Sequence, residues 1–192
     1  MMKKNLNLSV ALSALLIVFT VIMRVVFSEV MLFNIAPVIA ISLFSGGIMK
    51  NKSYAYLVPL AVYLLSDIYM QIAHGTGFYG VSQFFVYMGM ALVVALGTRM
   101  KKINTVSVLG YSIGGSLLFW LVSNLGVFAQ GYYGYSVAGL VETFAWAIPF
   151  YKNEMSTQLF FNPIISNVIT SGLLFASYAM VASKWKTSKV AA

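Results

Sequence analysis

The sequence predicts an all-α membrane protein, a bundle of six transmembrane helices, and three observations carry that expectation. Of its 192 residues 60% are hydrophobic and only 8% are charged, whereas charged residues make up about a quarter of an ordinary soluble domain. The apolar residues gather into six long stretches, and roughly 20 helical residues cross a hydrocarbon core about 30 Å thick. The basic residues alternate as well. Lys3, Lys4, Lys50, Lys52, Arg99, Lys101, Lys102, Lys184, Lys186 and Lys189 fall on one side, against Lys152 alone on the other. Short loops rich in Lys and Arg stay in the cytoplasm, so both termini are expected inside.

The first span, 8–28, follows Lys3 and Lys4 like a secretory leader. It is long enough to cross and has no small-residue cleavage pattern, so it is expected to be a retained helix. The second, 34–49, is short and opens with Asn34-Ile-Ala-Pro37, where proline suits a first helical turn. The third and fourth, 54–73 and 81–98, are joined through Gly75, Gly77 and Gly80, which predict a flexible connection. The fifth is 105–128 and the sixth 158–182. Between these two, Val137, Leu140, Val141, Phe144 and Ile148 recur at helical spacing before Pro149. An amphipathic helix is expected there, lying at the interface or dipping into the bundle, and a long structured connection of this kind suits a lid. The six spans fill 1–192 as one domain. Small residues four apart, Ser9 with Ser13, Ala36 with Ala40 and Gly110 with Gly114, predict close helix packing or docking of a membrane partner.

Composition also excludes function classes. A net charge of +8 would ordinarily suggest nucleic acid, but the basic residues sit at span ends, where they set topology and meet anionic lipid. With no cysteine, one histidine and four acids, the chain has no thiolate chemistry and too few groups for a metal cage. Phosphate-cradling, zinc-hydrolase and nucleophile-elbow motifs are missing. Neither a cofactor nor enzymatic activity is expected, and energised transport would have to borrow an ATPase or use an ion gradient. An enzyme acting on lipid would need converging charged groups, for which Glu142 and Glu154 are the candidates.

Charges inside spans are the sharpest local signal, because each costs a few kcal/mol at mid-membrane unless paired or hydrated. Arg24 and Asp67 lie at similar depth in the first and third spans. They are expected to face the interior, either pairing or holding a ligand's charged groups. Gln83 and Asn124 are amides that must find partners if buried. Trp120 and Trp146 would cover apolar ligand faces, and Glu142 would latch the lid. These seven residues, with the aromatics around Tyr69, Tyr87 and Tyr132, outline a cavity suited to a small polar molecule.

Asn34-Ile-Ala-Pro37-Val-Ile-Ala and Leu43-Phe-Ser-Gly-Gly47 resemble the opening of a family of small uncharacterised bacterial membrane proteins. Its later pattern is visible in Phe119-Trp-Leu-Val-Ser-Asn124, Gly139-Leu140, and Ala147-Ile-Pro149-Phe150 followed by Asn153. The likeness spans roughly 34–167. That family is similar in layout to the S components, the substrate-binding subunits, of energy-coupling factor vitamin importers. The resemblance implies six helices, an outward site covered by loops, a transmembrane coupling protein and two cytoplasmic ATPases as partners, and a place in the bacterial inner membrane. S components dock their partner through an alanine pair four apart on the first helix; Ala11 and Leu15 do not make that pair, and Ser9 with Ser13 is the approximate substitute. The expected function is therefore uptake of a small nutrient or vitamin-like molecule. The alternative is a membrane scaffold or cell-envelope assembly subunit, which would bury its charges in pairs and enclose no cavity.

Overall fold

The computed structural model describes residues 15, 17–26, 37–147 and 164–180. Among the described residues the structure is helical: α1 (Ile17–Val26), α2 (Val38–Ile48), α3 (Lys52–His74), α4 (Val81–Thr98), α5 (Thr105–Ala129), α6 (Val137–Ala147) and α7 (Ile164–Met180). Three of them, α3, α4 and α5, are long and apolar enough to cross a membrane. Their bounds follow the expected 54–73, 81–98 and 105–128 to within two residues. Local capping explains the starts. Asn51 accepts hydrogen bonds from the Ser53 and Tyr54 amides at 2.9 and 3.4 Å, and Asn104 accepts from Ser107 at 2.8 Å, each satisfying donors that a helix cannot satisfy itself. Only the middle of the expected first span and most of the sixth are described, as α1 and α7; the remainder, with Ser9, Ser13, Asn34, Ala36, Ile148 and Pro149, lies outside the described residues.

Of the expected second span, 34–49, the described residues begin at Pro37 and hold an 11-residue helix, α2, which at about 1.5 Å per residue covers roughly half of a bilayer core. Its residues 38–46 are all buried, as expected for a helix that is hydrophobic all round. It lies at the centre, packed on α3, α4 and α5. Apolarity all round is the property shared by a lipid span and a core helix, and sequence pattern alone does not separate them.

Two glycines bring α2 and α4 into backbone contact. A Cβ on Gly46 would lie 2.2 Å from the Val94 carbonyl oxygen, and one on Gly97 would lie 2.4 Å from that of Leu43. The C-terminus of α2 is closed by Lys52, whose Nζ donates to the Gly46 and Met49 carbonyls at 3.1 Å each, a favourable place for a cation. Lys52 thus has a structural task beyond marking topology. Among the described residues a Cβ on Gly110 or Gly114 would meet nothing within 4 Å, so the internal packing expected there is not made through these two. Their neighbour Gly115 makes the contact instead, against Val93 and Ile39.

Around an aliphatic core that includes Ile41, Leu43, Val58 and Met90, many other large apolar side chains point outward while hydroxylated ones are buried. Ile72, Phe84, Val106 and Val137 are exposed, while Ser42, Ser45, Ser66, Ser112, Ser116, Thr143 and Ser171 are buried. Helices in lipid gain little by hiding large apolar groups and much by close approach. On α6, Val137 and Val141 of the apolar stripe are exposed and Leu140 and Phe144 half-buried, while Gly139, Thr143 and Ala147 are buried. α6 begins at Ser136, whose Oγ accepts from the Gly139 amide at 3.1 Å.

Candidate functional site

α3 places Tyr63, Ser66 and Asp67 on one face, three and four residues apart. α4 runs antiparallel beside it and presents Gln83 and Tyr87, again four apart, and α1 brings Arg24 from the third side. Asp67 is 1% exposed and its Oδ1 lies 2.8 Å from Arg24 Nη1. That oxygen faces the guanidinium. Oδ2 faces neutral donors: Gln83 Nε2 donates to it at 2.8 Å and the Tyr87 hydroxyl at 2.9 Å.

Arg24 spreads its charge over several neighbours. Nη1 donates to the Tyr63 carbonyl at 3.2 Å and to Ser66 Oγ, which itself donates to the Val62 and Tyr63 carbonyls. Its guanidinium carbon stands 3.6 Å from the centroid of the Tyr63 ring, a cation–π contact. The Tyr63 and Tyr87 rings meet edge to face at 5.9 Å. The result is a net-neutral charged cluster packed among two phenol rings and an amide.

The connection 75–80 folds over this cluster. Gly75 ends α3 with φ 70°, the left-handed conformation that suits glycine at a helix end. A Cβ on Gly77 would lie 1.9 Å from the Asp67 carbonyl oxygen, and the Gly77 amide donates to Gln71 Oε1 at 3.1 Å. Gln83 Nε2 also donates to the Gly77 carbonyl at 3.3 Å, so one amide binds both the carboxylate and its cover. The glycines read as a flexible connection are set here by close approach and backbone shape. Burial first, then the neighbouring Tyr63 and Asp67, push the Tyr79 phenol above its ordinary range, so it stays a hydrogen-bond donor at neutral pH.

Of the seven residues singled out from sequence, Arg24, Asp67 and Gln83 are joined by direct contact. The other four have different surroundings. Trp120 Nε1 donates to the Ala147 carbonyl at 3.0 Å and its ring meets Phe144 edge-on at 5.4 Å, fastening α6 to α5. Asn124 Nδ2 turns back to the Trp120 carbonyl at 2.7 Å, within its own helix. Glu142 is exposed and Trp146 half-buried, both on α6. Tyr63 and Ser66 escaped notice, although their spacing from Asp67 marks them as its neighbours on a helix face. Among the described residues no three His, Asp or Glu side chains lie close enough to hold a metal.

A second buried polar cluster also escaped notice. Asn167 of α7 is 1% exposed, and its Nδ2 donates to the Ser112 carbonyl at 2.8 Å and to Ser116 Oγ at 2.7 Å. Ser171 Oγ donates to Asn167 Oδ1 at 3.3 Å. This neutral network docks α7 on α5.

Fold and site together define a helical membrane protein with one buried, net-neutral ion pair bridging α1 and α3 under the α3–α4 connection. The chain belongs to DUF6580, a family of unknown function, which matches residues 4–190, beyond both ends of the stretch on which the resemblance rests. No curated protein and no solved structure matches the chain.

Proposed function

We propose that this protein is the substrate-binding membrane subunit of a multi-protein importer, and that the Arg24–Asp67 end of the bundle faces outward and takes the ligand. The observation that supports this reading is the carboxylate of Asp67, buried to 1% exposure, facing a guanidinium and two neutral donors. Desolvating two ions costs several kcal/mol apiece, and a buried pair seldom beats apolar packing in stability. A binding role gives that cost a purpose. Arg24 would take a ligand's anionic group, and Asp67, Gln83 and Tyr87 its cationic or hydrogen-bonding edge. The pair sums to zero charge, so a net-neutral ligand leaves no buried charge uncompensated, whereas a simple anion or cation would. In the absence of ligand the two side chains satisfy each other.

In this reading the connection 75–80 covers the site. The one after α5 supports that cover, through Gln130 Oε1 accepting from the Ser82 amide at 3.3 Å, and α6 serves as the lid. A transmembrane coupling protein and cytoplasmic ATPases would supply the movement, in a bacterial inner membrane with both termini inside. A small-molecule census by mass spectrometry on the purified, detergent-solubilised protein tests this. The expected result is one stoichiometric net-neutral metabolite, lost from Arg24→Ala and Asp67→Asn; wild-type protein carrying none, or both variants keeping it, overturns the reading.

The 2.8 Å pairing of Arg24 with Asp67 also fits a scaffold that buries its charges in pairs. Exchanging them, Arg24→Asp with Asp67→Arg, separates the two. A scaffold recovers its stability and its assembly; a binding subunit recovers stability but not the ligand.

A further inference from the structure

At the end of the bundle opposite Asp67, α5 and α7 part to leave a groove of about 490 Å³. Its walls include Val108, Leu109, Val168, Gly172 and Phe175, and its mouth is formed by Ile103, Asn104 and Thr105. Three features meet at that mouth. Lys101 and Lys102 are exposed, immediately precede Ile103, and take part in no ion pair among the described residues. The groove also begins at the N-terminus of α5, where Asn104 caps Ser107 and leaves the Thr105 and Val106 amides without an intrahelical acceptor. That helix end carries partial positive charge, a natural seat for a phosphate. Below the mouth the lining is apolar, and the bare Cα of Gly172 widens it.

We propose that this groove binds an anionic phospholipid, its phosphate at the start of α5 beside Lys101 and Lys102 and an acyl chain lying between α5 and α7. Charge complementarity selects the occupant. An apolar helix would fill the walls but leave two lysines and a helix N-terminus unanswered, and a zwitterionic lipid would answer them only in part. The site is independent of the ligand reading at Arg24 and Asp67.

Native mass spectrometry of protein taken from mixed phosphatidylglycerol and phosphatidylcholine vesicles reads the retained lipid. Wild-type protein is expected to keep phosphatidylglycerol selectively. The Lys101→Ala/Lys102→Ala variant should bind it about 30-fold less well, corresponding to roughly 1 kcal/mol per lysine at a membrane surface. Gly172→Leu should abolish retention by filling the groove. A Cβ there meets nothing within 4 Å, so the variant is expected to fold. Gly110→Leu, equally open and lining a separate groove on α5, is the control and should retain lipid normally. Loss with the lysine variant but normal retention by Gly172→Leu would reduce the effect to surface adsorption and overturn the groove. Equal retention of both lipids by wild type would overturn it outright.

Discussion

At Asn167 a neutral amide on α7 gives both N–H groups to α5 and accepts a serine hydroxyl in return. At Asp67 a carboxylate equally buried takes two neutral hydrogen bonds on one oxygen and a guanidinium's charge on the other. Both clusters tie one helix to its neighbours. Only the second carries the cost of desolvated ions. Fastening helices in a membrane does not require charge, because hydroxyls and amides do it more cheaply. The contrast is the ground on which we propose binding at the Asp67 end of α3 and helix docking at the Asn167 end of α7.

The largest effect that should break this comparison is at the ion pair. Arg24→Ala leaves the Asp67 carboxylate buried without its counter-ion and is expected to cost about 3–5 kcal/mol of unfolding free energy. Removing a single donor is gentler: Tyr87→Phe strips one hydrogen bond from a charged acceptor and should cost about 1.5–3 kcal/mol. At the neutral cluster, Asn167→Ala is expected to cost only about 0.6–1.7 kcal/mol, the range for interhelical polar contacts in membranes, and to leave ligand content unchanged. Smallest is Trp120→Phe, which keeps the ring against Phe144 and loses the bond to Ala147, at about 0.5–1 kcal/mol. Denaturant unfolding in one detergent measures all four. Equal costs for Arg24→Ala and Asn167→Ala would erase the distinction.

How much of this was legible in the sequence depended on what each signal measures. The bounds of α3, α4 and α5 follow from apolar length, and the starts of α3 and α5 also from Asn51 and Asn104, both local properties. Arg24, Asp67 and Gln83 were legible because a charge or an amide in lipid must find a partner. Tyr87 groups with Tyr69 and Tyr132 among the cavity aromatics, and nothing local marks it as the one whose hydroxyl reaches Asp67. The burial of α2 inside the protein was not legible, because a helix buried in protein and one buried in lipid are equally apolar. The glycines misled for a related reason: Gly110-x-x-x-Gly114 has the spacing for close contact, yet the contacts fall on Gly46 and Gly97, on two different helices, where no spacing rule applies. The inward face of α6, Gly139, Thr143 and Ala147, was not legible because such small residues carry little apolar signal at helical spacing. Asn167, an amide on the final helix, obeyed the same rule as Gln83 and could have been found by it.

The central claim is that Arg24 and Asp67 are kept for a ligand rather than for holding the bundle together, and the double variant Arg24→Leu/Asp67→Leu tests it most directly. With both charges gone, the protein is expected to unfold within about 1 kcal/mol of wild type or later, and to purify without the small molecule that wild type carries. A double variant that is as fragile as Arg24→Ala alone, or one that folds normally and keeps the same molecule, would contradict the account.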